Sequence, residues 1–345
     1  MEETRAVTIH DVANKAGVAV SSVSRALSSH PDVSPAMKAK VLAAADELGY
    51  SPAPGAQSLR SGFTRTVGFV VRDFANPFFG DIIHGVEEAL NDAGYFLLVT
   101  NSGGDPGREV DRLTLLRQRR VDALLLSSIS EASTRTSKAV AGFKRPVVLL
   151  DRDPRKLKTG GVLLDHAVGV REATEDLIRS GHRRIAMITG STAIRPTRER
   201  LRGYTEAHEA MGVPMDEALL ASGAFATTFA RETTERLLAL PPQDRPTAIV
   251  AGGVQTTIGV LEAFSELGLR PGDELSLVVC DDLPWLRVMH PRISVVTRDG
   301  EQMGRLAAEL ALEMINGAEP RSVTLPTTYE VRETSRPPST RSSRL

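Results

Sequence analysis

One cysteine in 345 residues leaves no partner for a disulfide, so the chain is not one of the small stapled folds of oxidising compartments. Its composition is neither collagenous nor that of a disordered chain, and 41% hydrophobic residues suffice to bury a sizeable core. No stretch approaches the ~18 consecutive apolar residues of a membrane span. The opening MEETRAVTIHDVA lacks the basic run followed by an apolar run of an export signal, so a soluble cytoplasmic protein with no membrane partner is expected. An excess of either charge is missing too: 42 Lys+Arg stand against 43 Asp+Glu, and any case for nucleic-acid binding must come from local pattern. The seven histidines (His10, His30, His84, His166, His182, His208, His290) show no metal-ligand spacing, and there is no CxxC, Walker-type phosphate loop or GxSxG. No metal, no cofactor and no enzymatic activity are expected, and Cys280, at the end of an apolar run, reads as a buried structural thiol.

What is present divides the chain into two or three folding units. The first fifty residues carry short helical patterns and no strand-like run. Thr8 can cap a helix over about Ile9 to Ala16, with Asp11 completing a capping box, and Gly17 ends it. A second helix spans about Val20 to Leu27, and a third begins with Ser34 as cap and Pro35 in the first turn and closes at Gly49. Met37, Val41, Leu42, Ala45 and Leu48 give the third helix one apolar face. A Pro-, Gly- and Ser-rich linker follows at 51–64. From Thr66 onward, apolar runs at 66, 95, 123, 147, 162, 184, 248 and 275 alternate with helical stretches such as 77–93 and 256–268. That rhythm implies right-handed βαβ units around parallel sheets buried on both faces, and its length suits two lobes. The tail SRPPSTRSSRL, 335–345, reads as disordered.

Within the head, Ala13, Gly17 and Val23 stand at intervals of four and six, as a helix-turn-helix requires. A small residue lets the helices approach, glycine tolerates the left-handed turn, and valine fills the angle between them. An ordinary helical hairpin would satisfy this spacing as well. Read together, VTIHDVANKAGVAVSSVSRAL, VSPAMKAKVLAAADELGYSPAP, SLRSG, TRTVGFVV, NPFF, RRVDALLL and GHRRIAMITG closely resemble the LacI/GalR family of bacterial transcriptional repressors over about residues 7–334. The resemblance implies an all-α helix-turn-helix head (1–50), a hinge helix (51–64) and an α/β two-lobed periplasmic-binding-protein-like (type I) core with parallel sheets (65–334). Lobe 1 would comprise about 65–163 plus 293–322, and lobe 2 about 164–292 plus 323–334.

By that resemblance the second helix reads DNA. Val20, Ser21 and Arg25 would face base edges in the major groove, Arg25 by a bidentate fork to guanine, with a phosphate contact as its alternative. From Val7 to Arg60 there are five basic residues (Lys15, Arg25, Lys38, Lys40, Arg60) against four acidic ones (Asp11, Asp32, Asp46, Glu47). Phosphate contacts would therefore lean on helix N-termini and on Thr8, Ser22 and Ser24, giving a shallow salt dependence. Leu59 would be the minor-groove wedge of the hinge helix, or else a linker residue packing on its own domain; Pro54 and Gly55 stand where the family usually has helix formers.

The resemblance also implies a homodimer on a pseudo-palindromic double-stranded operator, controlled by a small-molecule effector (a sugar, a sugar derivative or an anionic metabolite) between the lobes, with Asp73, Phe78, Phe79, Arg200, Phe225 and Asp281 as effector-binding residues. Only one of the two phenylalanines is expected to reach the ligand. No leucine heptad ends the chain, so a dimer is favoured over a tetramer. Gly252 and Gly253 replace an Asn-Asp pair common in the family. Arg72, Arg152, Arg195 and Arg200 at strand ends suggest an anionic effector, or equally an ion-paired rim with Asp73, Asp151, Asp153 and Asp281. Asp281 and Asp282, adjacent on a strand, point to opposite faces and would not act as one acid–base pair. A solute-binding receptor that does not read DNA is the rival reading from another class; an enzyme of sugar or nucleotide metabolism is a third.

Overall fold

Helix formation in the head follows from its caps. The Asp11 carboxylate accepts from the Thr8 backbone N–H (2.8 Å) and from the Thr8 hydroxyl (2.7 Å), which holds Thr8 extended before the chain turns into α1 (Ile9–Ala16). Gly17, at φ 58°, reverses the chain, and the Val18 N–H closes on the Ala13 carbonyl. α2 (Val20–Leu27) follows, and the Ser34 hydroxyl accepts from Met37 N–H to start α3 (Pro35–Glu47). Ala13 and Val23 are buried between these helices together with Val12, Ala26, Val41 and Ala45, so the residues read as helix-turn-helix packing positions occupy them. One expectation fails: Leu42 is 46% exposed and Ala44 points inward instead. Positions 41, 44, 45 and 48 form one stripe of α3, and Leu42 lies a helical step away from it.

The computed structural model describes residues 7–27, 32–50, 62–153 and 157–339, in two units, 1–65 and 66–345. Pro54, Gly55 and Leu59, and with them the hinge-helix reading, lie outside the described residues. So do residues 340–345.

The larger unit contains two sheets. Its chain runs through β1 (Thr66–Val71), α4 (Phe78–Asp92), β2 (Phe96–Asn101), α5 (Pro106–Gln118), β3 (Ala123–Leu126), α6 (Thr134–Ala141), β4 (Val147–Leu150) and β5 (Gly160–Asp165). It then passes through α7 (His166–Arg179), β6 (Ile185–Thr189), α8 (Arg195–Ala210), β7 (Leu220–Ser222), α9 (Thr227–Leu238), β8 (Ala248–Gly252), α10 (Val254–Glu266), β9 (Ser276–Cys280), α11 (Pro284–Val288) and β10 (Ser294–Thr297). It ends with α12 (Gly300–Ile315), β11 (Ser322–Pro326) and β12 (Thr328–Glu330). The sheet orders are β11-β5-β4-β3-β1-β2 and β12-β10-β9-β8-β6-β7, the same order twice. All pairings are parallel except β12 with β10. Separate apolar clusters fill both faces of each sheet, because the βαβ crossovers lay helices on both sides. β2, at the edge of the first sheet, departs from this: Phe96 is 74% exposed and Leu98 38%.

Two boundaries differ from the sequence reading. β10 pairs with β9 and so belongs to lobe 2, although the family resemblance places 293–322 in lobe 1; only α12, packed on α4, returns there. β11 pairs with β5 in lobe 1, although the resemblance places 323–334 in lobe 2. The lobes are thus joined three times, after β5, after β10 and between β11 and β12. The start of the tail is also held rather than loose: the Ser335 hydroxyl donates to Asp176 (2.8 Å), and the Arg336 carbonyl accepts from Ser276 Oγ (2.7 Å).

Candidate functional site

On the head, α2 presents Ser21 and Arg25 on its exposed side, one helical turn apart, while Val20 and Ser22 are half-buried. Ser24 is buried at 8% exposure, so it does not present its hydroxyl to a phosphate as expected. Period explains it: Ser24 follows Val23 and leads into Ala26, on the face turned to the head core. Thr8 is half-buried, and its hydroxyl hydrogen is already given to Asp11, which leaves only acceptor capacity there. Lys15 pairs with Glu47 at 2.7 Å, holding that carboxyl below its usual range and reducing the free positive charge of the head further.

In the core, the carboxyl ends of both sheets open onto one cleft of about 660 Å³, its solvent-open mouth included. Asp73, Phe78, Phe79, Arg200, Phe225 and Asp281, all six residues expected to meet an effector, line it. Both phenylalanines do so, with ring centroids 6.4 Å apart, and each is at least nine-tenths buried. Gly190 makes room for Phe225: a Cβ there would stand 2.1 Å from the ring. The Arg72 guanidinium reaches from lobe 1 across to lobe 2 and lies 4.5 Å from the centroid of Phe225.

The repeated sheet order puts Asp151, just after β4, in the place that Asp281 holds after β9. Both acids are buried at 5% exposure, both have left-handed φ (54° and 89°), and each gives its N–H to the neighbouring strand. Acids in this strained conformation at two equivalent strand ends mark the floor of the site. Asp281 is ion-paired with Arg298, whose guanidinium carbon also lies 3.3 Å from the Phe78 ring centroid. Asp151 Oδ2 lies 2.7 Å from His166 Nε2, and Asp151 Oδ1 lies 3.3 Å from Arg195 Nη1. Burial pushes the Asp151 carboxyl up, but His166, Arg298 and Arg152 overcome this and hold it well below the carboxylate range. Burial drives His166 the other way, to about 4, with Asp151 opposing and Arg200 and Arg298 assisting, so the imidazole is neutral at neutral pH. Its place at the first position of α7, at the positive end of the helix, agrees with an uncharged ring.

Asp282 turns away from the cleft to Arg332 and Arg287, at 2.9 and 2.8 Å, so the two acids do part as expected, although both lie past the end of β9 and Asp281 is left-handed rather than extended. Cys280 is buried at 2% exposure, and burial pushes its thiol up to about 11. Gly253 has φ 145°, a region open to glycine, and its carbonyl accepts from the hydroxyls of Thr256 and Thr257 at the start of α10. A side chain at Gly252 would meet Thr189 Oγ1 at 2.5 Å, so the polar pair usual in the family does not fit this backbone without rearrangement.

The sequence did not single out Arg298 or His166. Arg298 follows a four-residue strand with no surrounding motif, and His166 is a lone histidine whose partner stands fifteen positions earlier.

Comparisons with known proteins agree with this architecture. Residues 8–53 match the family described as "Bacterial regulatory proteins, lacI family", and residues 174–335 match the "Periplasmic binding protein-like domain". The HTH-type transcriptional repressor PurR of Photobacterium profundum is 30% identical over 308 residues, 89% of this chain and 92% of that protein. The ribose operon repressor of Escherichia coli is 31% identical over 309 residues, 89% of this chain and 93% of that protein. Among solved structures, the complex of the transcriptional regulator CelR with cellobiose is 31% identical, with a TM-score of 0.72, covering 95% of this chain and 99% of that one.

Proposed function

The chain belongs to the lacI family of bacterial regulatory proteins, and we propose that it is a transcriptional repressor, a homodimer whose heads read a pseudo-palindromic operator and whose affinity is set by a small molecule in the interlobe cleft. The observation that carries this reading is α2, with Ser21 and Arg25 outermost on a helix packed as the second of a helix-turn-helix. Placed in the major groove, Arg25 binds guanine O6 and N7 by its fork, worth ~1–3 kcal/mol of discrimination, and Ser21 bonds a neighbouring base. Half-buried Val20 offers only a methyl contact, and Ser22 is the remaining hydroxyl for a phosphate. Leu59 is assigned here to the minor groove between the two half-sites.

Two-fold symmetry of the operator requires two heads, hence two copies of the chain. Edge strand β2, with Phe96 and Leu98 exposed at alternate positions, supplies an apolar face for that pairing. In the relative solved with cellobiose the ligand is a small polar molecule, and a small ligand in the cleft of this chain would bridge the lobes where Arg72 already touches Phe225. Catalysis is not part of the proposal, because Asp281 and Asp282 serve different ion pairs on opposite faces.

Selection of random DNA duplexes with the full-length protein at near-physiological salt, with Arg25→Ala alongside, tests the reading. A two-fold symmetric motif whose guanine preference disappears in Arg25→Ala is the expected result. If no motif emerges, either alone or with cell-extract metabolites added, the chain is a ligand receptor that does not read DNA.

A further inference from the structure

Every side-chain carbonyl and carboxylate that lines the cleft already accepts a hydrogen bond or an ion pair. Asp281 takes Arg298, and Asp151 takes His166 and Arg195. Asp73 Oδ1 accepts from Ala75 N–H (3.0 Å), Asn76 Oδ1 from Phe78 N–H (3.1 Å), and Gln255 Oε1 from the Thr227 hydroxyl (2.8 Å). Donors are in surplus. Arg72, Arg152 and Arg200 line the same cleft, and among the described residues none of them has a carboxylate within 4.0 Å. Arg152 spends its Nε and Nη1 on the carbonyls of Ser128 and Asp151. Arg200 is 3% exposed, gives Nη1 to the Gly252 carbonyl (2.8 Å), and its buried Nε has no partner.

The Arg200 guanidinium, with its one unpartnered Nε, sits at one end of a continuous patch. A Cβ on Gly253 would lie 3.8 Å from Arg200 Nη1 and 3.7 Å from the Phe225 ring, and Arg72 lies on that ring. Gly253 is also the residue before α10, thirteen residues long, which starts without a side-chain cap; Val254 and Gln255 of its first turn line the cleft. Unspent backbone N–H groups and the positive end of α10 therefore meet two arginines at one place. Had an Asn or Asp stood at 252–253, its oxygen would have supplied acceptors here; the two glycines remove them.

Resting on the reading of the cleft as the effector site, we infer that the effector carries an oxyanion, a carboxylate or a phosphate group, held between Arg200, Arg72 and the N-terminus of α10. A neutral polyol donates as well as accepts, and its hydroxyl hydrogens would have to compete for acceptors that are already engaged. An oxyanion only accepts, matches the arginine fork in shape, and offsets charges that now face one another across the cleft. Because Arg72 comes from lobe 1 and Arg200 from lobe 2, the bound group would also tie the lobes together.

The test is calorimetric titration of the full-length protein, at low ionic strength, with inorganic phosphate, with citrate, and with the neutral sugars ribose and cellobiose. Saturable binding of phosphate or citrate, one site per chain, is expected. It should weaken at least tenfold in Arg200→Gln and in Arg72→Gln, hold in the surface control Arg119→Gln, and weaken as salt rises. Phosphate against citrate tells which oxyanion is preferred. Arg72→Gln keeps the test open should Arg200→Gln fail to fold. The inference is overturned if neither anion saturates the protein, if both cleft variants bind as the parent does, or if a neutral sugar binds more tightly than either anion and does so equally well in Arg200→Gln. These titrations do not use DNA, so their failure in a protein that still selects an operator removes the oxyanion alone, whereas failure to select an operator removes the repressor reading.

Discussion

Asp151 and His166 form a buried pair whose two members respond to acid in the same direction. His166 titrates near 6.5 in an unfolded chain and about 4 here, so between those values the unfolded chain takes up a proton that the folded one refuses. Stability therefore falls as pH drops from about 6.5 towards 4, by up to about 3 kcal/mol at ~1.4 kcal/mol per pH unit. Asp151, held low, contributes stability above the ordinary carboxylate value and loses it as pH falls further. Urea unfolding at pH 7 and pH 4.5 should show the first loss, and His166→Gln should show a smaller one; equal losses in both proteins would assign the effect to other groups. At this scale the site was partly legible. Asp281, Arg200 and Phe225 stand in motifs that a sequence carries on its surface, and all three line the cleft. Asp151 appeared only as a possible ion-pair partner, because its equivalence to Asp281 exists in the repeated sheet order and not in any shared string of residues. Ser24 went astray for a simpler reason: a hydroxyl's chemistry suggested phosphate, but helical period turned it inward.

Among elements, the closest packing joins α4 and α12, which cross where both carry glycine. A Cβ on Gly85 would stand 2.0 Å from the Glu301 carbonyl oxygen, and one on Gly304 would stand 2.1 Å from that of Ile82. Backbone cannot yield as a side-chain tip can. Gly304→Ala gains at most ~1 kcal/mol of helix propensity and forces the two helices apart at a cost of about 1–3 kcal/mol or more, so net destabilisation is expected. Gly80, in the same helix α4 with nothing near its Cβ position, is the matched control: Gly80→Ala should be neutral or stabilising by up to ~1 kcal/mol. Denaturant midpoints of the two variants should move in opposite directions, and a common shift would contradict this account of the crossing. All eight strand-like runs seen in the sequence became strands. β7, β10, β11 and β12 were not seen: β3 and β4 are as short but wholly apolar, whereas these four (LAS, SVVT, SVTLP, TYE) are interrupted by polar residues or proline, and no helix separates the last two.

For the molecule as a whole, the apolar residues left on β2 and the two-fold demand of an operator converge on one assembly. Phe96→Glu places a charge on that edge and should shift the sedimenting species from dimer to monomer while leaving far-ultraviolet dichroism unchanged; a variant that still sediments as a dimer would put the pairing face elsewhere. Two lobes could be counted from the βαβ rhythm, but which late segment returns to which lobe could not, because that choice is made by strand pairing across more than 150 positions, as between Ser322 of β11 and Gly161 of β5. Those late returns matter during synthesis. A ribosome releases the head early, and its three short helices close on one another with no help from later sequence. The first sheet, by contrast, waits for α12 and β11, and the second for β10 and β12, so neither lobe is complete until nearly the whole chain has emerged. A chain cut short near residue 299 would carry a finished DNA-reading head on two unfinished lobes with bare apolar faces, and chaperones and proteases would meet it before any operator did.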